Sequence, residues 1–182
     1  MSGLKNIISK YFIALVLEGS ELQAIEDIKQ QLYVKHKLKG ALRSPAHITL
    51  HRPFEWPEAK EAQLIEQLSK FEFGPHLQLE VRNFDWFEPR VIYANVLPND
   101  ALNELHSRLT RYCQRELKLL NELNDKRGFH PHITVAFRDL KKPKFCQLKP
   151  HFEEEKLYLK PEFKGLSLLK LHEHWQVCRT FR

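Results

Sequence analysis

The sequence predicts an α+β domain: a bilobal, pseudosymmetric duplication of a β-α-β-α-β unit, with two antiparallel sheets lining a central cleft and helices outside. Three observations carry this. A His-apolar-Thr-apolar tetrapeptide occurs twice, as His47-Ile48-Thr49-Leu50 and as His132-Ile133-Thr134-Val135. Each copy follows a β-rich run and a helical stripe, in that order. Equivalent features stay at similar offsets: 81 positions from Tyr11 to Ile92, 85 from His47 to His132, and 90 from Phe73 to Phe163. Order that is kept while loops drift is the mark of an internal repeat. Residues 1–182 are read as one two-lobed domain with repeats at 10–88 and 90–182, since neither half easily buries a sheet alone.

In the first half, Tyr11 to Leu17 is a short run of β-formers and reads as a strand. Ser20 is placed to cap a helix over Glu21 to Lys35, where Leu22, Ile25, Ile28 and Leu32 recur at helical spacing. Gly40 and Pro45 mark a loop into the His47 strand. Pro53 ends that strand, because proline has no N–H to give the ladder. Pro57 suits the first turn of a second helix carrying Leu64, Ile65 and Leu68. After Gly74-Pro75, Leu77 to Phe87 alternates as one long strand.

The second half repeats this order. Val91 to Leu97 is a strand, Pro98-Asn99-Asp100 a turn and cap, and Leu102, Leu105, Leu109 and Tyr112 stripe a helix from Ala101 to Leu120. The loop Asn121 to Phe129 leads into the His132 strand. A weaker helix is read at Phe145 to Glu155, then strands at Lys164 to His172 and Trp175 to Phe181.

Composition bounds the function. With 42% hydrophobic, 11% aromatic and 29% charged residues, the 182-residue chain is globular rather than disordered. Residues 1–125 hold 16 basic against 17 acidic side chains, and residues 126–182 hold 13 against 6. That asymmetry hints at an anionic partner, nucleic acid or a phosphorylated small molecule, although Lys141-Lys142-Pro143-Lys144 also reads as a solvated face. Cys113, Cys146 and Cys178 are odd in number and widely spaced, against both a disulfide framework and a structural zinc site. Lys5 and Lys10 precede an apolar run too short for a signal peptide, and no stretch is long enough to span a membrane. The expectation is a cytoplasmic protein, monomeric by default, with no protein partner evident.

The repeated tetrapeptide is where chemistry is expected. In a strand, alternate side chains share a face, so His47 and Thr49 point one way and His132 and Thr134 do the same in the other lobe. An isolated strand histidine is usually just hydrogen-bonded or solvated. Two in equivalent places can instead flank one volume, one neutral and one protonated, as general base and general acid. That pair suits phosphodiester chemistry on a ribose. The chain carries no carboxylate cluster with metal-ligand spacing and no Gly-rich loop with GKS or GKT, so neither a metal nor a nucleoside triphosphate cofactor is expected.

On His47-Ile48-Thr49-Leu50 and His132-Ile133-Thr134-Val135, with Phe129 and Pro131 before the second copy, the chain resembles the two-histidine phosphoesterase superfamily. This includes RNA 2′-5′ ligase-like proteins and cyclic nucleotide phosphodiesterases. The resemblance implies a metal-independent phosphodiesterase acting on 2′,3′-cyclic phosphates of nucleotides or RNA ends. His47 and His132 would be catalytic, and Thr49 and Thr134 would hold phosphoryl oxygens. It further implies a 2′-phosphate product and, in related members, the joining of RNA ends through a 2′-5′ link. Beyond these, Arg43, His51, His130, Tyr11 and Tyr93 are candidates for substrate contacts. His51 would share the face of His47, and His130 that of His132. Trp86, Phe87 and Trp175 suit a nucleobase platform but equally a core, and His172 and His174 lack a third ligand. The alternatives are a non-catalytic nucleotide- or RNA-end-binding module using the same cleft, and two histidines that merely coincide in sequence.

Overall fold

The computed structural model describes residues 7–120 and 128–182; Lys5 and residues 121–127 of the expected Asn121 to Phe129 loop lie outside the described residues. Among the described residues the strands are β1 (Ile8–Val16), β2 (His47–Pro57), β3 (Leu77–Gln78), β4 (Val81–Phe87), β5 (Val91–Val96), β6 (His132–Ala136), β7 (Tyr158–Leu159), β8 (Glu162–Phe163), β9 (Leu166–Leu171) and β10 (Trp175–Phe181). The helices are α1 (Gly19–His36), α2 (Glu61–Ser69), α3 (Asp100–Leu117) and α4 (Lys142–Glu154), with 3₁₀ turns at Gly40–Arg43 and Glu58–Lys60.

Two four-stranded antiparallel sheets form, in the orders β10-β9-β1-β2 and β6-β5-β4-β7, and β3 pairs with β8 as a short ribbon. In each sheet the opening strand of a half is central and the His-bearing strand is an edge. The two edges, β2 and β6, approach one another. Each sheet draws strands from both of the stretches 10–88 and 90–182. β9 and β10 complete the first sheet, while β4 joins the second. The short connection from Phe87 to Val91 favours β4 and β5 as antiparallel neighbours, which draws β4 across.

One core lies beneath both sheets. Tyr11, Ile13 and Leu15 of β1, Ile48 of β2, and Ile133 and Val135 of β6 all enter it, together with the apolar stripes of all four helices. Packing is crosswise, α1 against β6 and α3 against β2, so each half covers the other's His strand.

Several local expectations are corrected. Ser20 lies inside the first turn of α1 and bonds Glu21; the cap position belongs to Glu18, whose side chain makes no capping bond. Pro53 does not end β2. Register shifts between β1 and β2 fall on either side of Ile13, and a proline is tolerated beside a bulge on an edge strand. Pro57 closes β2 instead of opening α2. The long strand at Leu77 to Phe87 breaks into β3 and β4, and Asn83 adopts φ +54 at a further register shift. In α3 the buried stripe ends on Cys113 and Leu117, and the half-buried Tyr112 turns its hydroxyl to the Gln67 carbonyl at 2.6 Å. Asn99 does cap α3, accepting from Leu102 N at 2.9 Å.

Candidate active site

The faces of β2 and β6 follow from register. His47 pairs with Val16 and Thr49 with Ala14, on the side where Phe12, Ala14 and Leu169 form a small cluster apart from the main core. His132 pairs with Asn95 and Thr134 with Tyr93. Ile48, Leu50, Ile133 and Val135 take the opposite face, in the core. Each strand thus anchors itself through its apolar side and offers a half-buried imidazole and hydroxyl on the other.

Both imidazoles are held alike. His47 Nδ1 lies 2.7 Å from the Pro45 carbonyl oxygen, and His132 Nδ1 lies 2.7 Å from the His130 carbonyl oxygen. A carbonyl only accepts, so each Nδ1 carries a hydrogen, and in the neutral ring Nε2 is the bare nitrogen. Aromatic rings back them: Phe12 at 4.8 Å from His47, and Tyr93 at 4.9 Å and Phe87 at 5.1 Å from His132.

Burial pulls the His47 pKa down; the bond to Pro45 resists this, and the charges of Lys29 and of His132 add to it, leaving a value of about 4. Two consequences follow. His47 is a neutral proton acceptor at physiological pH, and a charge on His132 is felt at His47, so the two rings act on one another electrostatically.

The other predicted residues divide. His130 lies beside His132: its carbonyl orients that ring, and its Nε2 lies 3.0 Å from the Tyr93 hydroxyl. Tyr93, opposite Thr134, meets His132 at a tilt and His130 edge-on, and burial followed by the Asp85 carboxylate pushes its phenol up to about 12. Tyr11 is not its counterpart. It lies on the core face, where its hydroxyl donates to Glu61 at 2.6 Å. His51 also differs from strict alternation, because the extra residue at Leu50 turns it to pair with Ile13; it is 1% exposed and packs edge-on to Phe54. Arg43 donates to the Glu173 carbonyl at 3.1 Å, tying the turn before β2 to the β9–β10 hairpin.

Of the aromatic candidates, Phe87 joins the His132 side, Trp175 meets Phe12 edge-on at 4.7 Å, and Trp86 lies under the Lys149 ammonium. His172 and His174 are exposed, and among the described residues no group of three or more His, Cys, Asp or Glu is placed to hold a metal ion. A groove of about 460 Å³ lies along Pro53 to Glu55 and Lys118 to Leu120, but none of the tetrapeptide residues lines it.

Sequence reading had not singled out Phe12, Glu26 or Lys29. Lys29 was detectable: it occupies a core position of α1, four residues after Ile25 and three before Leu32, and is 2% exposed.

The 2′-5′ RNA ligase superfamily profile matches residues 18–175. A Geobacillus sp. (strain WCH70) protein that carries the name of a phosphoesterase is 31% identical over 144 residues, covering 75% of this chain and 78% of its own length. A similarly named protein of Geobacillus kaustophilus (strain HTA426) is 29% identical over 142 residues, 75% of this chain and 78% of its own. TT0787 of Thermus thermophilus shares the fold with a TM-score of 0.68 at 17% identity, over 94% of this chain and 96% of that one. E. coli LigT complexed with 3′-AMP does so with a TM-score of 0.61 at 19% identity, over 96% and 98%. No helix among the described residues is long and apolar enough to cross a membrane. With the two matched histidine strands, these likenesses make the chain a member of the 2′-5′ RNA ligase superfamily of two-histidine phosphoesterases, an enzyme acting on phosphoesters.

Proposed function

We propose that the chain hydrolyses 2′,3′-cyclic phosphates of nucleotides or RNA ends by general acid–base catalysis between His47 and His132. The observation that carries this is the matched anchoring of the two rings on abutting strands, each with Nδ1 fixed to a backbone carbonyl two residues before it. One imidazole takes a proton from water as its oxygen bonds phosphorus. The other gives a proton to the ribose 3′-oxygen as the P–O3′ bond breaks, leaving a 2′-phosphate. His47, held neutral, is the ring equipped to accept. Thr49 and Thr134 donate to the phosphoryl oxygens, whose negative charge makes such bonds strong. This chemistry asks for no metal. With a 5′-hydroxyl in place of water as nucleophile, the same steps form a 2′-5′ link.

The test is incubation with 2′,3′-cyclic mononucleotides and with RNA ending in a cyclic phosphate, in chelator. Release of 2′-phosphate supports the proposal. Tight binding of both without turnover would assign the cleft to binding alone.

A further inference from the structure

Three residues upstream of His47 run Ser44, Pro45, Ala46, and α1 grips both sides of the middle one. Lys29 Nζ donates to the Ser44 carbonyl at 3.1 Å, and Ala46 N donates to Glu26 Oε1 at 2.7 Å. The same Glu26 oxygen takes a hydrogen bond from Lys29 Nζ at 2.9 Å, closing a ring of contacts around Pro45. Ala46 is further fixed through its carbonyl, which accepts from Leu17 N at 3.0 Å. The carbonyl left over, that of Pro45, is the one that receives His47 Nδ1–H.

An ion pair in this position is not explained by stability. Lys29 is 2% exposed, and burying an ammonium is costly even when paired; packed apolar residues commonly do as well or better. Its neighbours on the same stripe, Ile25 and Leu32, show what the core would otherwise select. The second lobe fixes its equivalent carbonyl differently, through the His130 ring and the Tyr93 hydroxyl.

We propose that Glu26 and Lys29 are positioning residues for His47: together they fix the Pro45 carbonyl that sets the ring's tautomer and aim. The charged groups acting on His47 are Lys29 from α1 and His132 from β6, while Phe12 of β1 and the Pro45 carbonyl are its uncharged neighbours. Burial holds the Lys29 ammonium below its ordinary pKa against the opposing pull of Glu26.

The inference rests on His47 taking part in the reaction, but its test is read without substrate. Nitrogen-15 spectra of the imidazoles in the full chain should show wild-type His47 protonated on Nδ1. Lys29→Met should loosen the Pro45 carbonyl and mix the two tautomers. It should also lower kcat by about tenfold or more with KM within about twofold, as a misaimed base would. Lys29→Arg, which keeps a charged donor, should keep the wild-type tautomer. Should Lys29→Met fail to fold, Lys29→Gln, shorter and uncharged, weakens the hold on the Ser44 carbonyl, and mixed tautomers are expected there too. A wild-type His47 protonated on Nε2 would overturn the proposal, as would a folded Lys29→Met or Lys29→Gln whose His47 stays wholly protonated on Nδ1. Loss of turnover on His47→Ala and His132→Ala is a separate result and decides the reaction itself.

Discussion

His47 Nδ1 lies 2.7 Å from the carbonyl oxygen of Pro45, two residues before it in the chain, and His132 repeats that bond to His130 at the same length. The duplication thus extends from sequence to hydrogen bonding. Each ring is oriented by its own approach segment, so its aim is set by backbone before any substrate arrives. Preorganisation of this kind is what allows a pair of imidazoles to act within one encounter.

The acid limb of kcat/KM should lie well below the ordinary imidazole range if His47 is the base, because its pKa in the free protein is about 4. The sign for stability is the same. With the folded value depressed below the unfolded value of about 6.5, the unfolded chain takes up a proton that the folded chain refuses. Stability is therefore intact above about pH 6.5 and falls as pH drops toward 4. Unfolding free energies of wild type and His47→Asn, compared between these limits, should converge at low pH.

Thr49→Val and Thr134→Val keep shape and remove a hydroxyl. A hydrogen bond to a charged group is worth about 1.5–3 kcal/mol, so each should lower kcat/KM by about 10- to 100-fold. Steady-state kinetics check this, with thermal unfolding to show that the strand is intact.

His51→Leu should act on stability rather than chemistry. The ring lies opposite Ile13 in the core, so the substitution should move the melting temperature and leave the shape of the pH–rate profile as in wild type.

Tyr93→Phe keeps the ring beside His132 and removes the hydroxyl that meets His130 Nε2. A loosened His130 carbonyl should lower kcat by several-fold with little change in KM, a small effect because the peptide unit stays in place.

The fold was legible where periodicity was strong. The strand–helix order, the Asn99 cap and the two His–Thr faces all follow from local pattern. What was not legible is non-local. Alternation alone puts His51 beside His47, and a single extra residue at Leu50 moves it to the other face. Tyr11 and Tyr93 look equivalent by position, yet register sets them on opposite sides of their sheets. The halves look like lobes, yet a tight β4–β5 connection exchanges strands between them. Lys29 is the instructive omission, since its charge on an apolar stripe was visible and its bond to the Ser44 carbonyl, fifteen residues on, was not.

The central claim is that His47 and His132 work as one unit on one phosphorus. It is tested most directly by kcat/KM for a 2′,3′-cyclic nucleotide in wild type, His47→Ala, His132→Ala and the double variant. Each single change should cost at least about 100-fold, and the double variant should be no worse than the poorer single one. Undiminished turnover in either single variant, or losses that multiply in the double, would contradict it.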